Sequence, residues 1–471
     1  MVKILLIQPA VSYKEKIKAL VSDCPHLGLL YLASSLKKNG YEVQYIDDID
    51  NSFELEEIGN IVRRHSISVV CITAMTQNIK GAIQLSAYLK FKQLPIKTIL
   101  GGAHISADPT LLQRFPFFDA GIIGESELTL PKMIPDLLDG KNIGTIHALT
   151  PHELDALEFP DRNLVDYDDY KKRGFWTNAM FATRGCPYKC NFCNITAINR
   201  RVRYRSPKNI TEEMKQCVDI TKLRTFSFID DALTLKKDFA ISLSEAIYDL
   251  PFKIKWEAQT RADHIDKELL KVMKMAGCYK LLFGVESGNE RIRNEIIGKK
   301  LSDYQIKRAT DLCWEVGIEP DHYLILGQPT ETAKEIEDTI NCPLKFKPNI
   351  IGVGITIPLP GSKLYKTAIE DGTIPEDVVD KYILGEYGEG YEECYPYYIP
   401  KGMTLGDLKE ARTKALKQFY FRPAYIWKRI KTDIGSWHNI KRDIVQGWSL
   451  LTKGRSVNDF IDEKKYKEIA Y

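Results

Sequence analysis

Three cysteines stand close together in one short segment, Thr183-Arg-Gly-Cys186-Pro-Tyr-Lys-Cys190-Asn-Phe-Cys193. Three residues separate the first pair and two separate the second, so one loop can wrap three thiolates around a single centre. Cysteine thiolates are the usual ligands of iron–sulfur clusters. Because a 4Fe–4S cube has four irons, three ligands leave one iron open to a substrate or a cofactor. The spacing therefore predicts a 4Fe–4S cluster on Cys186, Cys190 and Cys193 that takes part in chemistry.

A structural zinc site is the main alternative for this segment. Such sites usually have four Cys or His ligands in closely spaced pairs, and no matching second pair lies nearby in the sequence. The segment closely resembles the cluster loop of the radical S-adenosylmethionine (SAM) superfamily, in which the open iron binds the amino and carboxylate groups of SAM. The resemblance implies that Phe192, just before the last cysteine, lies against the adenine of SAM.

The elements around the loop have the pattern of a partial (β/α)6 barrel. Predicted strands recur at residues 179–183, 225–229, 254–259, 280–285, 322–326 and 352–357, and predicted helices such as 208–220, 236–248 and 267–275 fit between them. The chemistry of such barrels takes place at the carboxyl ends of the strands. Polar side chains at those ends are therefore the candidate ligand contacts.

Five candidate SAM-binding residues follow the second, third and fourth strands of this barrel. Asp230 and Asp231 can accept hydrogen bonds from the SAM ammonium group, with a helix N-cap as the alternative role of Asp231. Arg261 can pair bidentately with the SAM carboxylate or another acid, with a surface ion pair as its alternative. Glu286 and Ser287 close the fourth strand, and a carboxylate there can bind the ribose hydroxyls or the ammonium group of SAM.

A turn after the fifth strand, Gly327-Gln-Pro329-Thr-Glu331-Thr332, is similar to the Gly-x-Pro-Gly-Glu-Thr turn of the family. Thr330 stands where the family has its second glycine. We expect the turn to shape the loop, and the missing glycine bears on how closely the turn approaches SAM.

Residues 1–142 alternate strand and helix, which predicts a mostly parallel, Rossmann-like sheet covered by helices. The predicted strands are 3–8, 42–47, 69–73, 98–101 and 120–123, and a predicted helix at 28–38 stops at Asn39-Gly40. Ligands of such sheets bind beyond the carboxyl ends of the strands. No Gly-x-Gly-x-x-Gly follows the first strand, so the fingerprint of a nicotinamide or flavin site is missing.

This N-terminal segment resembles the cobalamin-binding domain that precedes the catalytic domain in one class of radical SAM enzymes. The resemblance is carried by Pro9, Pro25-His-Leu-Gly28, Gly101-Gly102-Ala-His104 and Gly124-Glu125-Ser-Glu127. Paired glycines let a backbone approach a flat macrocycle, and threonines can hold a phosphate or an amide tail. The predicted cobalamin contacts are Thr73, Met75, Thr76, Gly101, Gly102, His104 and Glu125.

The segment lacks the Asp-x-His-x-x-Gly loop whose His ligates cobalt in other cobalamin enzymes. We therefore expect water or a non-ligating side chain, with Met75 or its neighbours as candidates, below the cobalt. Two alternatives remain: His104 bonds only to its own loop, or the domain no longer holds cobalamin.

Composition places the chain among globular proteins with more than one domain. It has 471 residues, 44% hydrophobic and 27% charged, with a net charge of +3. Ten cysteines without a signal peptide indicate a reducing, cytoplasmic environment. The expected domains are 1–142 (cobalamin-binding), 143–177 (linker), 178–390 (radical SAM barrel) and 391–471 (an aromatic and basic helical region).

The C-terminal region is strongly basic. Between Ala411 and Arg455, 11 Lys and Arg stand against two Asp, a local excess of +9, interleaved with aromatic residues. This pattern is typical of an amphipathic helix lying on an anionic membrane surface. The alternative is a cap that packs its aromatic residues on the barrel, and no recognisable module suggests nucleic acid.

The resemblance covers residues 1 to about 390 and implies a cobalamin-dependent radical SAM enzyme. An external donor, similar to flavodoxin or ferredoxin, would reduce the cluster, and cleavage of SAM would give a 5′-deoxyadenosyl radical that abstracts hydrogen from an unactivated carbon. C-methylation of a small molecule, hydrophobic or lipid-derived, is the expected outcome. The alternatives are a cyclisation or rearrangement, as in the anaerobic Mg-protoporphyrin monomethyl ester cyclase that the chain also resembles, and a non-catalytic iron–sulfur or corrinoid-binding protein.

Overall fold

A computed structural model describes residues 1–13, 24–172, 177–195, 200–387, 396–423 and 425–427 of the chain. The chain divides into two compact units. The first consists of Met1–Tyr188, Phe192–Arg224 and Pro358–Pro396, and the second of Lys189–Asn191, Thr225–Ile357 and Tyr397–Tyr471. Cys394 and residues 428–471 lie outside the described residues.

The strands and helices have the following bounds. The strands are β1 Lys3–Gln8, β2 Glu42–Asp47, β3 Val69–Thr73, β4 Lys97–Gly101, β5 Ala120–Ile123, β6 Gly144–His147, β7 Asn178–Met180, β8 Thr183–Arg184, β9 Arg203–Tyr204, β10 Thr225–Phe228, β11 Lys255–Thr260, β12 Cys278–Glu286, β13 Glu319–Leu326 and β14 Ile351–Ile355. The helices are α1 Leu27–Lys38, α2 Leu55–Arg64, α3 Ile79–Phe91, α4 Ala103–Ala107, α5 Leu111–Arg114, α6 Leu130–Leu138, α7 Tyr167–Lys172, α8 Pro207–Thr221, α9 Lys237–Tyr248, α10 Lys267–Met275, α11 Asp303–Val316, α12 Ala333–Phe346, α13 Lys363–Glu370, α14 Val378–Leu384 and α15 Leu405–Tyr420. Short 3-10 turns lie at Thr76–Asn78, Leu154–Ala156, Arg162–Leu164, Leu233–Leu235 and Ala262–His264, and a π-helix lies at Ile292–Ile296.

The first unit is organised around a parallel sheet in the order β2-β1-β3-β4-β5-β6. The interior strand β1 is apolar and fully buried at Ile4–Ile7, as expected for a strand with both faces covered. The predicted parallel sheet is confirmed. The strand β6 was missed, because it is only four residues long and lies half-exposed at the edge.

The predicted strand at 179–183 is wrong in detail. The chain forms β7 and then β8, and β8 pairs antiparallel with β9. The backbone N–H of Arg205 also donates to the carbonyl of Ala182 at 3.0 Å, so the segment just before the cysteines is held by residues 203–205. This pairing draws the chain away from a continuous strand and gives the cysteine segment a fixed starting point.

The second unit contains five parallel strands in the order β14-β13-β12-β11-β10. One face is apolar and buried, as at Leu281, Phe283 and Val285. The other face, which we call the open face, carries residues with partial exposure: Ser227, Glu257, Gln259, Lys280, Gly284, Tyr323, Gly352 and Gly354. Alternation of side chains along each strand separates the two sets.

The helices of the second unit begin at side-chain caps that the sequence encodes locally. Asp266 accepts from the backbone N–H of Leu269 at the start of α10, and Ser302, Thr332 and Thr404 form capping boxes before α11, α12 and α15. The helical character expected at the C-terminus is seen in α15. Its Phe419 is buried, and the Tyr420 hydroxyl donates to the carbonyl of Ile351 at 2.8 Å, so these aromatic residues pack in the second unit.

Among the residues that the structure describes, no helix has both the length and the apolar character needed to cross a membrane.

Candidate cofactor sites

The three cysteines of the predicted cluster are all partly buried, and none of them forms a disulfide. Cys186 and Cys193 belong to the first unit and Cys190 to the second. No group of three or more His, Cys, Asp or Glu within the described part of the chain is already gathered around a metal position. The donors nevertheless fit an iron–sulfur cluster, because three accessible thiols in one short loop are what such a cluster requires.

Cys190 lies among charged side chains of the second unit. Burial raises the pKa of its thiol. The nearby cations Lys299 and Arg261 lower that pKa, and the nearby carboxylate of Glu286 raises it. Two cations and one anion therefore face a thiol that must be a thiolate to bind iron. Burial outweighs these charges and keeps the pKa of the Cys190 thiol above its ordinary value, and Lys299 and Arg261 offset part of that effect.

The residue next to Cys190 joins the segment Lys189–Asn191 to strand ends of the same unit. The Asn191 side chain donates to the Gln328 amide oxygen at 3.1 Å, and the Gln328 amide donates to the Thr356 hydroxyl at 2.9 Å. All three residues are buried. Sequence reasoning missed Asn191 and Gln328 as supports, although Gln328 lies in the turn that resembles the family's Gly-x-Pro-Gly-Glu-Thr.

That turn keeps its shape without its second glycine. Thr330 has a φ of 61°, a left-handed conformation that glycine adopts more easily. The buried Glu331 closes the turn, because its carboxylate accepts from the backbone N–H groups of Gly327 at 2.7 Å and Gln328 at 2.9 Å. Burial raises the pKa of Glu331 to about 7.

The predicted SAM contacts of the second unit differ in how open they are. Asp230 is buried, whereas Asp231 is exposed and is not the cap of the following turn, whose N-cap is Ala232. Ser287 is fully buried, and its hydroxyl lies 3.0 Å from that of Thr339 in α12. Ser287 therefore supports its own loop, and its role toward SAM stays a prediction.

Arg261 is buried and is already paired. Its guanidinium donates to both carboxylate oxygens of Asp263, at 2.9 and 2.8 Å, and to the carbonyl of Lys299 at 2.7 Å. The surface ion pair weighed as its alternative is thus a buried one. The guanidinium is held in a fixed orientation close to Cys190, and its role toward the SAM carboxylate stays a prediction.

In the first unit, the predicted cobalamin contacts gather at the carboxyl ends of β3 and β4. The Thr76 hydroxyl lies 3.1 Å from Nδ1 of His104, and both residues are buried. Burial lowers the pKa of His104 to about 4, so its ring is neutral at physiological pH. Its Nε2 is buried without a hydrogen-bond partner among the described residues.

The two glycines of this edge have different surroundings. A Cβ atom on Gly102, whose φ is 99°, would lie 2.6 Å from the carbonyl of Ala74 and 2.8 Å from the Thr73 hydroxyl, so this glycine lets two loops meet. A Cβ atom on Gly101 would meet nothing within 4 Å. Open backbone at Gly101 and the 40% exposed Met75 fit an edge that contacts a flat macrocycle such as cobalamin.

Glu125 takes part in a network of ion pairs within the first unit. Its carboxylate binds Arg203 of β9 and lies 2.9 Å from Arg184 of β8, and Arg184 also lies 2.7 Å from Glu127. Burial works against ionisation, but the two arginines hold the pKa of Glu125 below its ordinary value. The structure thus shows Glu125 joining the loop after β5 to the strands that flank the cysteines, a role that sequence reasoning did not foresee.

Two segments of the chain match known protein families. Residues 180–342 match the family profile of the radical SAM superfamily, and residues 17–134 match that of the B12 binding domain. The protein is therefore an α/β radical SAM enzyme with a B12-binding domain. The two matched domains imply a 4Fe–4S cluster, SAM and cobalamin as its cofactors.

Relatives cover nearly the whole chain. An uncharacterized methyltransferase of Pyrococcus horikoshii is 29% identical and covers 91% of this chain and 94% of its own. The anaerobic magnesium-protoporphyrin IX monomethyl ester cyclase of Rubrivivax gelatinosus is 25% identical and covers 90% and 78%. The structure of the cobalamin-dependent SAM radical enzyme OxsB is 14% identical, has a TM-score of 0.68 and covers all of this chain and 75% of that one. The last likeness supports the fold.

Proposed function

We propose that the protein methylates an unactivated carbon of a small molecule in a cobalamin-dependent radical SAM reaction. The observation that carries this proposal is the combination, in one chain, of the three-cysteine loop with the open strand edge around Met75 and Gly101. A relative named as a methyltransferase covers nine-tenths of the chain and supports it.

Cys186, Cys190 and Cys193 would hold the cluster, Glu286 and Arg261 are candidates for the polar groups of SAM, and the edge at Met75 and Gly101 would face cobalamin. When bound, the cluster with SAM supplies a 5′-deoxyadenosyl radical for hydrogen abstraction, and cobalamin supplies a methyl group. The chain's own residues bind and orient these cofactors and shield the reaction from solvent. Their buried hydrogen bonds keep the cysteine segment and the ligand charges in place before reaction, and a shielded site protects a radical from side reactions.

The cyclase of Rubrivivax gelatinosus supports a second candidate function, a radical cyclisation or rearrangement without methyl transfer. The two functions differ in how SAM is used. A methylating enzyme consumes one SAM to make the radical and a second one to restore the methyl group on cobalamin.

Product analysis tests this proposal. The anaerobic protein, reconstituted with iron, sulfide and cobalamin, would be incubated with methyl-deuterated SAM and dithionite. We expect both 5′-deoxyadenosine and S-adenosylhomocysteine to form. Formation of 5′-deoxyadenosine alone would favour the cyclase-like function, and the absence of both products would refute a radical SAM reaction.

The partners of the reaction are part of the same proposal. The cluster needs an external one-electron donor similar to flavodoxin or ferredoxin, and no nucleic acid takes part. We further propose that the basic C-terminus rests on anionic lipid and brings the enzyme to a hydrophobic or lipid-derived substrate. Residues 428–455, outside the described residues, hold seven Lys and Arg against two Asp.

Flotation with anionic liposomes tests the membrane contact. Each basic residue near such a surface contributes about 1 kcal/mol, so salt-sensitive binding is expected. Because α15 packs within the second unit, the matched variant is truncated after Trp427, which leaves that helix in place. Binding that survives the truncation, or no binding by the full chain at low salt, would contradict the membrane contact.

A further inference from the structure

A turn at residues 297–299 lies directly against the segment that carries Cys190. The backbone N–H of Asn191 donates to the carbonyl of Ile297 at 2.9 Å. A Cβ atom on Gly298, whose φ is 80°, would lie 3.7 Å from the carbonyl of Lys189, so the two backbones are in contact. The turn follows the π-helix Ile292–Ile296, a local irregularity that is frequent at functional sites.

Lys299 is the last residue of this turn, and its ammonium group is buried within the second unit. It is only 7% exposed, and its ammonium lies 2.7 Å from a carboxylate oxygen of the equally buried Glu286. Its own backbone carbonyl accepts from the Arg261 guanidinium at 2.7 Å. One residue therefore contacts both Glu286 and Arg261, the two side chains with the charges best suited to the polar groups of SAM.

The ion pair sits in a space that a glycine provides. A Cβ atom on Gly284 would lie 2.3 Å from a Glu286 carboxylate oxygen and 2.6 Å from the Lys299 ammonium nitrogen. Glu286 itself has a φ of 67°, which a non-glycine residue holds only when its surroundings fix it. The glycine, the ion pair and the left-handed backbone thus define one arrangement of the Glu286 carboxylate.

We propose that Lys299 is a positioning residue for SAM: its ammonium fixes the Glu286 carboxylate beside Cys190, while its backbone turn fixes the Cys190 segment and Arg261. This inference rests on the proposed function, because it assigns Glu286 to SAM. It adds that the Glu286 carboxylate binds SAM productively only while Lys299 holds it over Gly284. Removal of the ammonium should therefore weaken SAM binding without removing any ligand of the cluster.

Three variants of the full chain test this inference. Gly284→Ala keeps both charges but places a methyl group where the pair lies, and the atoms it meets are the ends of flexible side chains that can move. Lys299→Met removes the charge. Gly354→Ala is the matched control, since it adds the same methyl group on the same open face, where its nearest neighbour would be 3.9 Å away.

Each protein would be reconstituted anaerobically and measured for iron content, SAM dissociation constant and the electron paramagnetic resonance (EPR) spectrum of the reduced cluster with and without SAM. We expect wild-type iron content in all three. Loss of one charge-assisted hydrogen bond should raise the dissociation constant about tenfold or more in Gly284→Ala and Lys299→Met, and weaken the spectral change on SAM addition. Gly354→Ala should stay within about twofold of wild type, as for an ordinary surface substitution.

Wild-type SAM affinity in Gly284→Ala would overturn the inference, even if Lys299→Met fails to fold. Equal losses in Gly284→Ala and Gly354→Ala would also overturn it, because the methyl group would then act by obstruction alone. A wild-type protein that takes up a cluster but makes no 5′-deoxyadenosine would instead refute the proposed function. Its SAM affinities would still decide whether Lys299 positions Glu286.

Discussion

The surroundings of Cys190 and the strand edge of the first unit use opposite means to prepare a ligand site. Around Cys190, buried charges are paired at short distances, as between Lys299 and Glu286 at 2.7 Å. At the edge of the first unit, His104 is neutral, Met75 is exposed and Gly101 is bare. SAM carries ammonium, carboxylate and sulfonium charges that a few fixed polar groups can orient, whereas a large macrocycle needs exposed surface to lie against.

This difference has consequences for mutation. Removing one partner of a buried polar or charged pair lowers the stability of the folded protein, because the other partner stays buried without a hydrogen bond or an opposite charge. At the ends of β3 and β4, the exposed Met75 side chain and the Gly101 backbone have no charge that could be left uncompensated. We therefore expect substitutions near Cys190 to have large effects and substitutions at the first edge to have small ones.

The largest effect is expected for Cys190→Ala. A cube with two protein ligands should be labile, so we expect little bound iron and no measurable cleavage of SAM to 5′-deoxyadenosine. Cys313→Ala is the control, because Cys313 is fully buried in α11 of the same unit and has no predicted ligand role. Unchanged cleavage in Cys190→Ala would remove the cluster assignment.

The next effect concerns pH and Glu331. Burial raises the pKa of this carboxyl to about 7 in the folded chain, from an ordinary value of 4.5. The folded state therefore binds more protons than the unfolded state in that window, and stability should fall as the pH rises from about 4.5 to about 7, by about 3 kcal/mol.

The measurement is the free energy of unfolding across this pH range for wild type and Glu331→Gln. The glutamine keeps an acceptor for the two backbone N–H groups but cannot ionise, so its profile should be flatter. Parallel profiles of the two proteins would show that Glu331 is not the group responsible.

A smaller effect is expected for Gln328→Leu, which breaks the connection between Asn191 and Thr356. Two buried polar groups lose a partner, so unfolding should become easier by about 2 kcal/mol, and iron should be lost faster to a chelator. Gln418→Leu is the matched control, since that residue makes one exposed hydrogen bond, to Asn341 at 2.7 Å. Equal losses in both variants would argue against a special role for Gln328.

The sequence allowed prediction of the strand ends and of the types of residue found there. Local signals sufficed for this, since an apolar run defines β1, and a side-chain cap at Asp266 precedes the predicted helix α10. The supports of the sites could not be predicted. Gln328 lies 137 residues from Asn191, and Arg203 lies 78 residues from Glu125, so no local pattern links either pair.

The edge strand β6 and the break between β7 and β8 were missed for related reasons. The first is too short and too exposed to have a clear period, and the second depends on pairing with residues 203–205. Glu125 and Ser287 stay predicted ligand contacts, and the structure adds that each is also bonded to another side chain. Such long-range partners cannot be read from a motif, because they depend on how distant segments pack.

The smallest effect is expected for substitution of His104. Because this edge offers no ligand atom to cobalt, the substitution should not change the cobalt centre. The imidazole is fully buried, and its Nδ1 lies against the Thr76 hydroxyl, so it faces the interior of the first unit. Bound cobalamin should therefore be without imidazole coordination, and the Co(II) EPR spectrum should show no nitrogen splitting from a protein imidazole. His104→Gln retains polar groups for Thr76 and should leave this spectrum unchanged while altering thermal stability. A nitrogen splitting that is present in wild type and lost in His104→Gln would mean that His104 turns outward to bind cobalt. The strand edge of the first unit would then provide a specific ligand atom, as the surroundings of Cys190 do.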